Sequence, residues 1–300
     1  VIVVRLMGGV GNQMFQYAAG RALALRLEAP LRLDLSSFPD ERGREFALGS
    51  LPLCAEVVTS AELECFPPVA AAPSGGRAAR MLRRIACRVR GARRSGGPLR
   101  FREPHFHYAS AFERLTGDVY LDGYWQSERY FAAASSTVAK ELTLAEPQDA
   151  RNAELAARIL SSDSVSVHVR RGDYVHDPTL AGLYAELSPD WYRRAALMAA
   201  SGLAAPEFFV FSDDPDWVRG HLDFGHPLTV VDHNAGAPLA DMRLMSLCGR
   251  HVIANSSFSW WGAWLDRRPG AVVLAPAKWF GPRRARRRID DLYPATWRRT

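Results

Sequence analysis

The stretch His168-Val169-Arg170-Arg171-Gly172-Asp173-Tyr174 gathers more reactive chemistry than any other part of this 300-residue chain. Its two adjacent guanidinium groups follow the alternating run Val165-Ser166-Val167, which reads as the end of a strand. Open α/β sheets take ligands in the crevice beyond their strand ends. A guanidinium fork donates two parallel hydrogen bonds to phosphate oxygens. The pattern points to a nucleotide-diphosphate site, against the plainer reading of a surface ion pair.

Three more blocks stand at predicted strand ends. Gly8-Gly9-Val10-Gly11-Asn12-Gln13 joins a first strand to a first helix, where glycines allow close backbone approach and a helix start offers free amides. It matches neither the dinucleotide fingerprint, which needs glycine where Met14 stands, nor the Walker loop. One reading makes it a tight turn with Asn12 as helix cap; the other turns Gln13 and Gln16 toward a ligand. In Phe211-Ser212-Asp213-Asp214-Pro215-Asp216, Asp214-Pro215-Asp216 has the D-x-D form of a metal site. Pro215 suits a first helical position and Asp214 its N-cap, which leaves Asp213 to accept hydrogen bonds from a base such as guanine. Asn255-Ser256-Ser257-Phe258-Ser259-Trp260-Trp261 places hydroxyls where a helix start can face phosphate, while the tryptophans read as core. The one close histidine pair, His105 and His107, reads as exposed loop, and Gly-x-Ser-x-Gly is absent.

The elements that must position these blocks alternate. Residues 1–35 read as strand, helix, strand, and a second such series runs from about residue 140. The fold expected is α/β, two Rossmann-like halves around a cleft: 1–150, with an Arg-rich insertion near 67–104, and 151–300. An apolar fraction of 48% supports a real core, and no apolar run is long enough to span a bilayer. Val1-Ile2-Val3-Val4 reads as a buried strand, not a leader. Four cysteines without metal spacing read as free thiols in a reducing cytoplasm. The net charge of +6 comes almost wholly from arginine, since Lys140 and Lys278 are the only lysines.

Together the four blocks resemble glycosyltransferase family 11, the α-1,2-fucosyltransferases, through Gly8–Ala18, His168–Tyr174, Phe211–Asp214 and Asp241–Leu265. The resemblance implies a GT-B-like fold of two facing Rossmann-type domains. It implies GDP-β-L-fucose as donor and inverting transfer to the 2-hydroxyl of a galactoside. Carried onto this chain, Arg170 would bind the β-phosphate, with His168 and Arg171 shaping that site. Asp213 would read guanine, and Ser256, Ser257 and Ser259 would line the diphosphate. Asn12 and Gln13 would face the donor sugar or the acceptor.

A fixed guanidinium can stand in for a divalent metal, so no metal or other cofactor is expected. Asp173, His176 and Asp177 are the candidates for the base that takes the acceptor proton, with Asp173 also suited to pairing with Arg170. Arg77–Arg102 and Arg283–Arg288 raise nucleic-acid binding as a rival. The absence of aromatics between Phe66 and Phe101 argues against it. Peripheral contact with anionic membrane, where a lipid-linked acceptor would be met, is the alternative use of that charge, beside plain solvated loops.

Overall fold

The run Val1-Ile2-Val3-Val4 has no polar alternation and occupies the place such a run needs. Strand β1 (Ile2–Arg5) lies at the centre of a parallel sheet, with Ile2, Val3 and Val4 fully buried. The computed structural model describes residues 1–40, 44–67, 97–146 and 149–300, with the backbone alone at Asp173 and His176. In the first sheet β1 is joined by β2 (Leu31–Asp34), β3 (Glu56–Val57), β4 (Leu99–Arg102) and β5 (Val119–Asp122), all parallel, in the order β3-β2-β1-β5-β4. Helix α1 (Val10–Arg26) makes the crossover from β1 to β2, and α2 (Ser60–Glu64) and α3 (Ser135–Glu141) are short.

The second sheet contains β6 (Asp163–Val169), β7 (Pro206–Ser212), β8 (Leu228–Val231), β9 (Arg250–Val252), β10 (Val272–Ala275) and β11 (Arg298–Arg299). Its order is β11-β10-β9-β6-β7-β8, again parallel throughout. Counted from β6, this is the doubly wound nucleotide-binding order, and its direction reverses between β6 and β9. Helices α4 (Ala150–Ser161), α5 (Gly172–His176), α6 (Pro189–Ala200), α7 (Pro215–His221), α8 (Pro238–Leu247) and α9 (Ser257–Trp264) complete it. Asp149, Ser188, Asp214 and Ser256 cap α4, α6, α7 and α9 by accepting a backbone N–H from the first turn.

The two sheets share a core. One apolar cluster includes Ile2, Phe15, Leu121 and Phe131 from the first half and Met242, Trp260, Trp261 and Tyr293 from the second. The tryptophan pair is therefore core, as its size suggests, but core between the halves. Phe15 lies 4.5 Å from the Trp260 ring and 5.0 Å from that of Trp261.

Two sequence expectations change. Asn12 is not the cap of α1; Gly9 holds that position, and Asn12 sits in the first turn with its side chain directed across the cleft. The Arg-rich stretch is not loop to its end, because residues 99–102 form the edge strand β4. There Arg100 stacks 3.7 Å from the Tyr120 ring centroid, and Arg102 lies 3.7 Å from Asp122. Alternating arginine is compatible with an edge strand because the long side chains cover apolar neighbours and still reach water. The remainder of the Arg-rich insertion, 68–96, lies outside the described residues.

Candidate active site

Because each sheet is parallel, the loops leaving its C-terminal strand ends gather on one edge. The two edges meet. A Cβ on Gly11, at the start of α1, would lie 2.6 Å from the Phe258 amide nitrogen at the start of α9. Only glycine permits that approach of backbones. Trp261 Nε1 donates to the Gly11 carbonyl at 3.0 Å, and the Ser257 hydroxyl donates to Asn12 Oδ1 at 2.9 Å. Gln126 Nε2, from the loop after β5, donates to the same oxygen at 2.6 Å.

The arginine pair leaves β6 at the point where the strand order of the second sheet reverses. Arg170 Nη1 lies 3.0 Å from Asp213 Oδ2, and the Arg171 amide donates to Asp213 Oδ1 at 2.8 Å. Gly172 makes room for this carboxylate, since a Cβ there would sit 2.7 Å from Asp213 Oδ2. Arg171 Nε reaches Asp214 Oδ2 at 3.3 Å, and its guanidinium lies 4.1 Å from the Trp217 ring. Asp214 also accepts the Trp217 amide at 3.2 Å, which is the capping role expected of it. Asp213 thus holds Arg170 and the Arg171 backbone through its two oxygens. Both Arg170 and Asp213 keep about a quarter of their side-chain surface, at 24% and 25%.

His168 is buried beneath this corner. Burial, reinforced by the Arg170 charge, pushes its imidazole down to about 3, so it is neutral at any working pH. Its ring packs 5.3 Å from Phe258. Its ring fills the space beneath the arginine pair. Among the serines, Ser256 is the α9 cap and Ser257 faces the cleft. Ser259 is fully buried, and its hydroxyl bonds back to the Ser256 and Ala254 carbonyls. Gln13 is likewise buried: it donates to the Gly8 and Glu45 carbonyls at 2.9 and 2.8 Å and accepts from Ala47 N at 2.9 Å. Neither Gln13 nor Ser259 lines the cleft; both stand behind residues that do. Of the candidate bases, Asp177 is held by the Thr179 amide and hydroxyl, which lower its carboxyl. The side chains of Asp173 and His176 lie outside the described residues.

Between the edges lies a cavity of about 740 Å³. Its first-half wall carries Met7, Asn12, Glu103, Asp122 and Gln126, and its second-half wall carries Tyr174, Tyr184, Ser257, Phe280 and several arginines. Tyr174 and Tyr184 stack at 4.0 Å, with Arg170 at 5.4 Å from the Tyr174 ring. Two features of the cavity were missed in the sequence. Arg284, Arg286, Arg287 and Arg288 line it, where the sequence reading gave them an outer surface. His105 and His107, stacked at 3.5 Å, and the adjacent Glu103 also line it. The breaker-rich sequence around β4 concealed a wall residue, and Glu103 stood out only as the end of a basic run. Among the described residues no group of His, Cys, Asp or Glu could hold a metal ion, and no helix is long and apolar enough to cross a membrane.

The chain is similar to several known proteins. Residues 106–299 match the model of glycosyl transferase family 11. An alpha-1,2-colitosyltransferase of Escherichia coli is 31% identical over 93% of this chain and 92% of its own. The O-antigen biosynthesis glycosyltransferase WbnK of Escherichia coli is 27% identical over 92% and 93%. A galactoside 2-alpha-L-fucosyltransferase of Caenorhabditis elegans is 26% identical over 65% and 57%. Among solved structures, NodZ alpha-1,6-fucosyltransferase soaked with GDP-fucose covers 88% of this chain and 91% of its own, at 16% identity and a TM-score of 0.48. With the family model matched over residues 106–299 and a relative 31% identical over 93% of the chain, the protein belongs to glycosyltransferase family 11.

Proposed function

We propose that the protein transfers L-fucose from GDP-β-L-fucose to the 2-hydroxyl of a terminal galactoside, inverting the anomeric centre to give an α-1,2 linkage. The observation that carries this reading is Arg170, latched by Asp213 at the strand-order reversal of the second sheet. Charge develops on the diphosphate oxygen as the glycosidic bond breaks. A guanidinium already fixed beside it stabilises that charge without reorganising, an effect worth about 3 kcal/mol for one such donor. Arg171, Ser256 and Ser257 complete the diphosphate side. Asn12, bridged to Ser257 and Gln126, forms the floor beneath the transferred sugar. Asp213 and Asp173 serve by positioning Arg170.

The α-1,2 linkage and an O-antigen-type glycan acceptor are supported by what the two bacterial relatives are named for. The galactoside and fucose are supported by the nematode relative. The colitosyl relative favours a second donor, since colitose is fucose without its 3-hydroxyl. Incubation with GDP-fucose and GDP-colitose against a galactoside panel, followed by linkage analysis, separates the two. α-1,2-Fucosylation is expected, and preference for the deoxy donor would replace it. Transfer at full rate in excess chelator is expected as well; loss restored by manganese would overturn the electrostatic role given to Arg170. The reading includes a cytoplasmic enzyme working at the inner membrane face on a lipid-linked acceptor.

A further inference from the structure

We propose that Glu103 is the catalytic base that takes the proton from the acceptor hydroxyl. The proposal rests on the transferase reading above and goes beyond it, because Glu103 lies outside the four motif blocks and outside the residues 106–299 that match the family model. In-line transfer breaks the acceptor O–H bond and the sugar C1–O bond and forms a new C1–O bond. The proton passes to a Glu103 carboxylate oxygen. The electron pair of the broken C1–O bond leaves with GDP, whose terminal oxygen faces Arg170. Glu103 then releases its proton to solvent.

On the donor side, every described carboxylate near the arginine pair is already held: Asp213 by Arg170, Asp214 by Arg171, Asp177 by Thr179. Two carboxylates line the cavity, Asp122 and Glu103, on the wall facing Tyr174, against whose ring Arg170 lies at 5.4 Å. Asp122 is nearly inaccessible and lies 3.7 Å from both Arg5 and Arg102. Glu103 is half-buried, and no arginine or lysine lies within salt-bridge distance among the described residues. Instead it accepts two backbone bonds, from Tyr124 N at 2.8 Å and Trp125 N at 3.2 Å. Trp125 delivers its amide from a left-handed conformation (φ 55°), unfavourable for a tryptophan, as backbone held at functional sites often is. Gly123 is needed beside it, because a Cβ there would strike the Glu103 side chain. The turn after β5 is shaped around this carboxylate.

Burial raises the Glu103 carboxyl to about 7, against the lowering effect of the Tyr124 and Trp125 amides. Arg287, across the cavity, lowers it and Asp122 raises it; Tyr130, Arg102, His105 and His107 are the other titratable or charged neighbours. A carboxyl poised near the working pH is suited to general-base catalysis.

The test compares the full-length wild type with Glu103→Gln and Glu103→Ala. Melting temperature and GDP affinity report folding and the donor site. The expected result is transfer lowered about 100-fold or more in Glu103→Gln, with GDP affinity unchanged. The wild-type rate should rise with pH through about 7, and that limb should vanish in Glu103→Gln. Formate should restore part of the transfer to Glu103→Ala. A Glu103→Gln variant that transfers like wild type, a pH limb that survives the substitution, or loss of GDP affinity along with transfer would overturn the assignment. A wild type that moves sugar from no GDP-linked donor would overturn the transferase reading itself, a distinct result.

Discussion

The loops that meet in the cleft, one from each sheet, use polar side chains in opposite ways. After β1, the Gly8–Gln13 turn spends its polar groups on contacts within the protein, Asn12 across the cleft and Gln13 inward. Gln13 ties the turn to the 45–47 segment, and Gly11 gives up any side chain so that α9 can approach. After β6, the Arg170–Gly172 corner directs charge outward: the Asp213 carboxylate just past β7 orients its guanidinium and leaves it partly exposed. The first loop mainly joins the halves, with Asn12 alone of its long polar side chains on the cavity wall, while the second holds an oriented guanidinium partly open to solvent. Two motif blocks therefore report two different physical demands, close packing of the halves in one and an oriented, partly exposed charge in the other.

Substitutions that separate stability from chemistry test this contrast. The largest effect is expected from Arg170→Ala. Turnover should fall roughly a hundredfold or more, from lost stabilisation of the leaving diphosphate, with the melting temperature nearly unchanged; steady-state transfer and thermal melting on one preparation check both halves. Asp213→Asn comes next. It keeps the shape but weakens the latch, so transfer should fall about tenfold, as expected when a catalytic group drifts from its geometry. Unchanged kinetics there would show that Arg170 needs no latch. Gly11→Ala should do the reverse. It forces α1 and α9 apart and should cost about 1–3 kcal/mol of stability, seen in denaturant unfolding, with turnover per folded molecule altered less than in Arg170→Ala. A Gly11→Ala protein as stable as wild type would show that the halves do not depend on that contact.

Much of the fold was legible in the sequence. The alternating run Val165–Val169 and the continuous apolar run Phe208–Phe211 read as strands, and Asp214-Pro215 announces a helix start by capping chemistry. Two-residue strands such as β3 and β11 left no periodic signal to read. β4 was hidden because an edge strand made of alternating arginine has the composition of a loop. In the site, Arg170 and Asp213 were legible because charge beside an apolar strand is conspicuous. Their pairing was not, because β6 and β7 are neighbours only through sheet order.

The sequence by itself determined the alternation of strands and helices, the family motifs, and the presence of an arginine pair at a strand end. All of these follow from local periodicity and residue chemistry over a few neighbouring positions. Tertiary structure alone decided that Asp213 latches Arg170, that Gln13 and Ser259 face inward, and that Glu103 shares a cavity with Arg287, 184 residues further along the chain. The physical reason is that parallel sheets collect distant strand ends on one edge. Burial and charge at that edge are set by residues that no local window contains.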